Sequence, residues 1–263
     1  MMHPIYLQHI ELLTPGMHGW NDARPFLCGQ AFSAPSETNG TYKPQLLPPN
    51  ERRRATRLTR LAFALGELFV ANAAAHNAQH WQSVFASSGG DYPIIDAICK
   101  DLALGNGISP TQFHNSVHNA VAGYWSIATG AQSASSSISA FQDTFAAGIF
   151  EAAVLAASSS APVFLCLYDA PAPPLLAAAS KITTEFAAGL LLSGKPSAQD
   201  IAQIQITWAP AATTSRCLNP DLETLRLSNP AARVLPFAEL IARQQTGSCM
   251  VPFNTHSLTL TLS

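Results

Sequence analysis

Apolar and polar positions alternate with two distinct periods along this chain. Residues 4–13 carry β-branched and aromatic members and predict a first strand. Residues 15–50 are rich in Gly, Pro, Asn and Ser and predict an irregular excursion. Asn50, after Pro48 and Pro49, is a candidate N-cap for a helix running to about residue 75. There Leu58, Leu61, Leu65, Leu68 and Phe69 fall at i, i+3, i+7, i+10 and i+11, one helical face. Residues 81–86 predict a short buried strand, and 92–104 a helix ended by Gly105, Asn106 and Gly107. Ser109 and Pro110 open a further helix by cap and first-turn proline. It is predicted to reach residue 125, with Phe113, Val117, Ala120, Val121 and Tyr124 on one face. Residues 131–136 predict a strand and 137–157 a long Ala-rich helix. Residues 162–168 and 186–192 are apolar runs of buried-strand type, and 258–262 closes the chain.

Strands alternating with helices predict an α/β fold with a mostly parallel sheet in a single layered domain, 1–263. Its core is expected at about 1–195. Residues 196–263 read as a looser, partly helical insertion with a closing strand.

Composition narrows the function classes. Charged residues are 11% and hydrophobic residues 48% of 263, too apolar for a disordered or coiled-coil chain. The net charge of −2 provides no global field toward nucleic acid or anionic lipid. Five of the ten Arg lie between Arg52 and Arg60, whereas no Lys or Arg occurs between Asp101 and Ser180. A free surface needs charge, so so bare a stretch is expected in the core, a subunit interface, or both. The five Cys show no metal-ligand spacing and read as free thiols in a reducing compartment. The first residues lack the pattern of a signal peptide, and the best apolar run, 145–157, is too short to span a bilayer. A cytoplasmic protein without a membrane span is expected.

Three constellations carry candidate chemistry. His76/His80 and His114/His118 have the HxxxH spacing that puts two imidazoles on one helix face, but neither pair has a third ligand nearby. No metal is assigned, and a polar helix surface accounts for both. Ser133, Ser135, Ser136 and Ser137 form a serine run without the GxSxG of an esterase elbow, and Ser is also favoured where a strand enters a helix. Arg52, Arg53 and Arg54 fit either a solvated helix start or a dock for an acidic or phosphorylated partner.

Residues 109–148, SPTQFHNSVHNAVAGYWSIATGAQSASSSISAFQDTFAAG, resemble the core of the N-terminal half of a beta-ketoacyl synthase. PPNERRRATRLTRL at 48–61 is similar to the first long helix of a short ketosynthase-like group. That group includes the chain length factors of aryl polyene biosynthesis. PVFLCLYDAP at 162–171 matches the strand after the nucleophile helix. The resemblance covers most of 1–195 and implies a thiolase-like half-fold, truncated relative to a full ketosynthase. An active member reads TACASSLxA at its elbow. Laid on this chain by Ala140, the elbow is QSASSSISA and the nucleophile position is Ala134. Alanine has no lone pair to attack a thioester. The catalytic histidines belong to the family's second half, and this chain has no His between His118 and His256.

The resemblance therefore implies a subunit without catalytic residues or cofactor that pairs with a full-length beta-ketoacyl synthase. Ala131, Gln132, Ser133, Ala134 and Ser135 would form the dimer contact. Phe113, Val117, Val121 and Tyr124, with His114 and His118, would line the tunnel that limits polyene length. Arg52–Arg54 would dock an acyl carrier protein. Two alternatives stay open: a serine-dependent acyltransferase or hydrolase with His114 or His118 as base, and a stand-alone acyl-carrier or lipid-binding module.

Overall fold

The computed structural model describes residues 3–32, 40–72 and 77–263. Strand β1 (Ile5–Thr14) carries a two-residue hairpin partner, β2 (Met17–His18). The other strands are β3 (Gln82–Ala86), β4 (Ser135–Ile138), β5 (Val163–Asp169), β6 (Phe186–Ser193), β7 (Ala202–Pro210), β8 (Gly247–Phe253) and β9 (His256–Leu262). They join in one mixed sheet, ordered β4-β3-β5-β6-β1-β7-β9-β8.

The mixed α/β architecture matches the expectation; its parallel share does not. β3 runs parallel to β4 and to β5, and every other neighbouring pair is antiparallel. The apolar runs of β5 and β6 are buried along their whole length. An unbroken apolar run reports burial on both faces, which parallel and antiparallel centres share, so it does not report direction.

Two cores flank the sheet. On one face, α3 (Arg57–Asn72) and α6 (Ala120–Thr129) pack Leu61, Phe63, Phe69, Trp125 and their neighbours against Phe85, Phe164 and Tyr168. On the other face lies α7 (Thr144–Ser158), whose Ala146, Ala152, Ala153 and Ala156 are buried with Val84, Leu165 and Leu167. Small residues let this helix approach the strands closely. A Cβ on Gly148 would sit 3.1 Å from the Ala86 Cβ and 3.2 Å from a Leu165 methyl. β1 and β7 share only three residue pairs, 5–7 with 202–204, so the β7–β9–β8 arm leaves the main sheet at one end. Its Val251, Leu258 and Leu260 join the core under α7, together with residues of α1 (Trp20–Leu27), α9 (Pro220–Ser228) and α10 (Leu235–Ala242).

Several predicted boundaries move for identifiable reasons. The segment expected as irregular contains α1 and the start of α2 (Pro49–Arg54). The helix expected from 50 to 75 breaks at Ala55, which is extended, and Thr56 restarts it by accepting the Thr59 N–H. The helix expected from 110 to 125 is two: α5 (Pro110–Ser116), with the Ser109–Gln112 capping box, and α6, separated by an extended Val117. Helix α4 (Tyr92–Ala103) lies where expected, and α8 (Pro174–Ser180) follows β5. β7 and β8 are strands that the apolar pattern did not announce, because each buries one face only in part. Among the described residues no helix is long and apolar enough to cross a membrane.

Candidate functional site

The parallel strands β3, β4 and β5 all point their carboxyl ends to one place, the position where open α/β sheets gather ligand-facing loops. β4 ends at Ile138 and α7 begins at Thr144, so residues 139–143 make the strand-to-helix turn. Phe141 takes φ 51°, the left-handed region that a bulky L-residue avoids. The Thr144 hydroxyl spans the bend, accepting from the Ala140 N–H at 3.1 Å and donating to the Phe141 carbonyl at 2.7 Å.

Each remaining turn residue is tied to a different element. Ser139 donates to the Ser88 carbonyl at 2.7 Å, just past β3. Arg233, on the short helical turn before α10, donates to the Gln142 Oε1 at 2.7 Å. Asp143 accepts the Asn254 N–H at 2.7 Å from the β8–β9 turn. Behind the turn, the Asp169 Oδ1 accepts from the Ser87 hydroxyl (3.0 Å), the Ser88 N–H (2.8 Å) and the Ser88 hydroxyl (2.9 Å). Burial pushes the Asp169 carboxyl up to about 6, although the serine bonds oppose it. Asn229 donates to the Asp169 and Thr184 carbonyls and accepts from Ala231, which places the turn that bears Arg233.

The position expected to be the lost nucleophile is corrected. Ala134 is exposed and lies just before β4, away from any helix start. The strand-to-helix turn instead holds Ser139, Ala140, Phe141, Gln142 and Asp143, and none of these is Cys. Matching on Ala140 alone displaced the motif by more than the length of β4. Burial also raises the thiols of Cys166, Cys217 and Cys249, far from the low values of a nucleophilic cysteine.

The serine run lies within and just before β4 rather than at a helix cap. Ser135 bonds the Ser83 hydroxyl at 2.9 Å and Ser136 donates to the Glu151 Oε1 at 3.0 Å. The histidines offered as bases point elsewhere. His118 Nε2 meets the Ser87 carbonyl at 3.1 Å, and His114 packs edge-on to Tyr124. His80 sits on an exposed turn, and His76 lies outside the described residues. Among the described residues no group of three or more His, Cys, Asp or Glu could hold a metal ion.

The single tunnel face expected over 113–124 divides because the helix breaks at Val117. Val121 and Tyr124 turn into the core, where the Tyr124 hydroxyl donates to Asn115 at 3.0 Å. Phe113 is 65% exposed and Val117 46%. His114 instead borders an open cavity of about 420 Å³ with Glu51, Arg54, Pro110, Thr111 and Ile127. The arginine cluster also divides. Arg52 donates to the Leu47 and Gln45 carbonyls and the Gln45 side chain, whereas Arg53 and Arg54 are exposed.

β4 is one edge of the sheet, β8 the other, and among the described residues β4 pairs with β3 alone. Gln132, Ser133 and Ala134 just before it, and its first residue Ser135, are exposed, while Ala131 is buried. Leu102, Leu104, Phe113, Val117, Ile127 and Phe141 are exposed apolar residues, and all lie within the stretch that lacks Lys and Arg. The sequence signal for the turn's partners was absent, because Arg233 and Asn254 come from a part of the chain read as an insertion.

The family model of the beta-ketoacyl synthase N-terminal domain matches residues 29–248. No curated protein matches the sequence. Among solved structures, the fold is similar to that in the ketosynthase ApeO in complex with its chain length factor ApeC from Xenorhabdus doucetiae. That match has 22% identity and a TM-score of 0.74, over 98% of this chain and 99% of that one. A type II polyketide synthase structure, AntDE:AntF, with acyl carrier protein and ketosynthase bound to the hexaketide, matches at 11% identity and TM-score 0.74, over 100% and 99%. The ishigamide ketosynthase/chain length factor matches at 11% and 0.70, over 98% of each chain. At such identities the likeness concerns the fold, a thiolase-like one.

Proposed function

Because the chain belongs to the beta-ketoacyl synthase N-terminal domain family, we propose that it is a non-catalytic, chain-length-factor-like subunit of a ketosynthase heterodimer. The observation that carries this reading is the strand-to-helix turn at 139–143. It has the bend and buried helix that would activate a nucleophile, but Gln142 and Asp143 stand there, engaged with Arg233 and Asn254. Neither side chain attacks a thioester as a thiolate does.

The edge strand β4, and exposed apolar residues in the stretch that lacks Lys and Arg, support pairing, since an unpaired sheet edge is a template for another strand. In this reading the partner supplies Cys and both His, and this subunit supplies a wall that ends the acyl tunnel. Phe113 and Val117 are its exposed candidates on α5 and the following bend. Arg53 and Arg54, exposed at the end of α2, are the candidate contacts for the phosphate or carboxylates of an acyl carrier protein. The aryl polyene assignment, with a cytoplasmic setting, is the specific form of the proposal.

The test is co-expression with each beta-ketoacyl synthase of the source organism, read by size-exclusion and native mass spectrometry. A one-to-one complex with one of them is expected. A chain that stays alone with all of them, or that consumes malonyl thioester by itself, overturns the reading.

A further inference from the structure

We propose that Phe141, beside the Phe113 and Val117 wall, is a further residue that limits how far an acyl chain grown on the partner subunit extends; this rests on the pairing reading above. The first reason is its backbone. A left-handed φ of 51° is comfortable for Gly or Asn, so an aromatic residue there is held against its preference. The surroundings over-determine the bend. Thr144 bridges it, Ser139 fixes its entry to the loop after β3, and Arg233 and Asn254 fix its exit.

The second reason is the side chain. The Phe141 ring is 69% exposed, while Phe85, Phe145 and Phe164, on the adjoining strands and helix, are buried completely or nearly so. The isolated chain gains little from this ring, and yet carries it on a strained backbone. The third reason is place. Phe141 follows the last residue of the edge strand by three positions, in the stretch without Lys or Arg. A partner strand laid antiparallel on β4 sets the two strand-to-helix turns at opposite ends of the joint. Four paired residues alone separate them by about 13 Å. That spacing suits an extended acyl chain anchored at the partner's nucleophile and pointing toward this ring. A flat apolar ring is a fitting stop for an apolar, conjugated chain end, because its quadrupole allows offset stacking without a charge or hydrogen bond.

Phe141→Gly and Phe141→Asn remove the ring and accept the left-handed bend; Phe141→Trp enlarges it. The isolated Gly variant is expected to unfold about 2–6 °C higher than wild type, since the strain is released and little packing is lost. In the complex with the co-purified ketosynthase, supplied with malonyl-loaded acyl carrier protein, Gly and Asn should raise the ratio of longer to shorter products about tenfold. Trp should lower it. A complex that assembles and makes products of unchanged length with all three variants overturns the role of Phe141. A Gly variant that melts below wild type shows the ring to be a packing element and also overturns it. Failure of the wild-type chain to join any ketosynthase overturns the pairing reading instead, and is distinguished by the absence of complex before any variant is made.

Discussion

Arg233 and Gln142, 91 residues apart, meet through a 2.7 Å hydrogen bond between a guanidinium Nη2 and an amide oxygen. The bond fastens the last third of the chain to the turn that opens α7. Arg233 is partly buried, and its Nε has no hydrogen-bond partner among the described residues. Burial and the neighbouring Arg226 charge lower its affinity for the proton, and Asp143 offsets part of that. Removing one side of this clamp should loosen both elements.

Arg233→Ala is expected to destabilise the protein by about 1–2 kcal/mol, as for a charge-assisted hydrogen bond with one exposed partner. Lys in its place should recover little, because an ammonium lacks the planar fork. Urea unfolding midpoints check this; a midpoint equal to wild type for the Ala variant contradicts it.

Neither Gln142→Cys nor Ala134→Cys should create condensing activity. At 142 a thiol would stand in the turn facing Arg233, while His118 meets the Ser87 carbonyl and His114 packs on Tyr124. At 134 it would be on an exposed residue before β4. Malonyl consumption by either purified variant above that of wild type would refute the expectation.

Asp169 predicts a pH dependence with a definite sign. Its folded carboxyl titrates near 6 because of burial, against the ordinary 3.8, so the folded state holds a proton that the unfolded state has already lost. Its stabilising contribution is complete below about pH 4 and is lost as pH rises to about 6, amounting to about 3 kcal/mol. Burial also raises Asp91 and Glu239, whereas His9 and backbone bonds outweigh burial at Glu11 and lower it. The checking measurement is therefore the difference in unfolding free energy between wild type and Asp169→Asn. That difference should shift against the wild type between pH 4 and 7; a flat difference would be the contrary result.

Val117→Lys tests the apolar surface. The side chain is 46% exposed in an extended bend, so the isolated chain should unfold within about 0.5 kcal/mol of wild type. Burying the ammonium in a contact should weaken the heterodimer at least about tenfold. Equal affinity for the ketosynthase partner would remove this bend from the interface.

Features under short-range control were legible in the amino-acid order alone. The Ser109–Gln112 capping box, the buried strands at 82–86, 163–169 and 186–193, and the apolar stripe of α3 each follow from residues within a turn or a strand of one another. The resemblance to beta-ketoacyl synthases was legible for a similar reason, in one continuous central segment. The direction of β6 came from its pairing with β5 and β1, because burial on both faces looks alike in either orientation. Strand pairing also set where the strand-to-helix turn lies. Serines suit an edge strand as well as a helix cap, and the pairing of Ser135 to Ile138 with β3 settled which they form. The clamp on that turn was beyond sequence reading altogether. Arg233 and Asn254 acquire their partners only when the β7–β9–β8 arm and α7 share one core, and contacts across 91 and 111 residues leave no periodic trace along the chain.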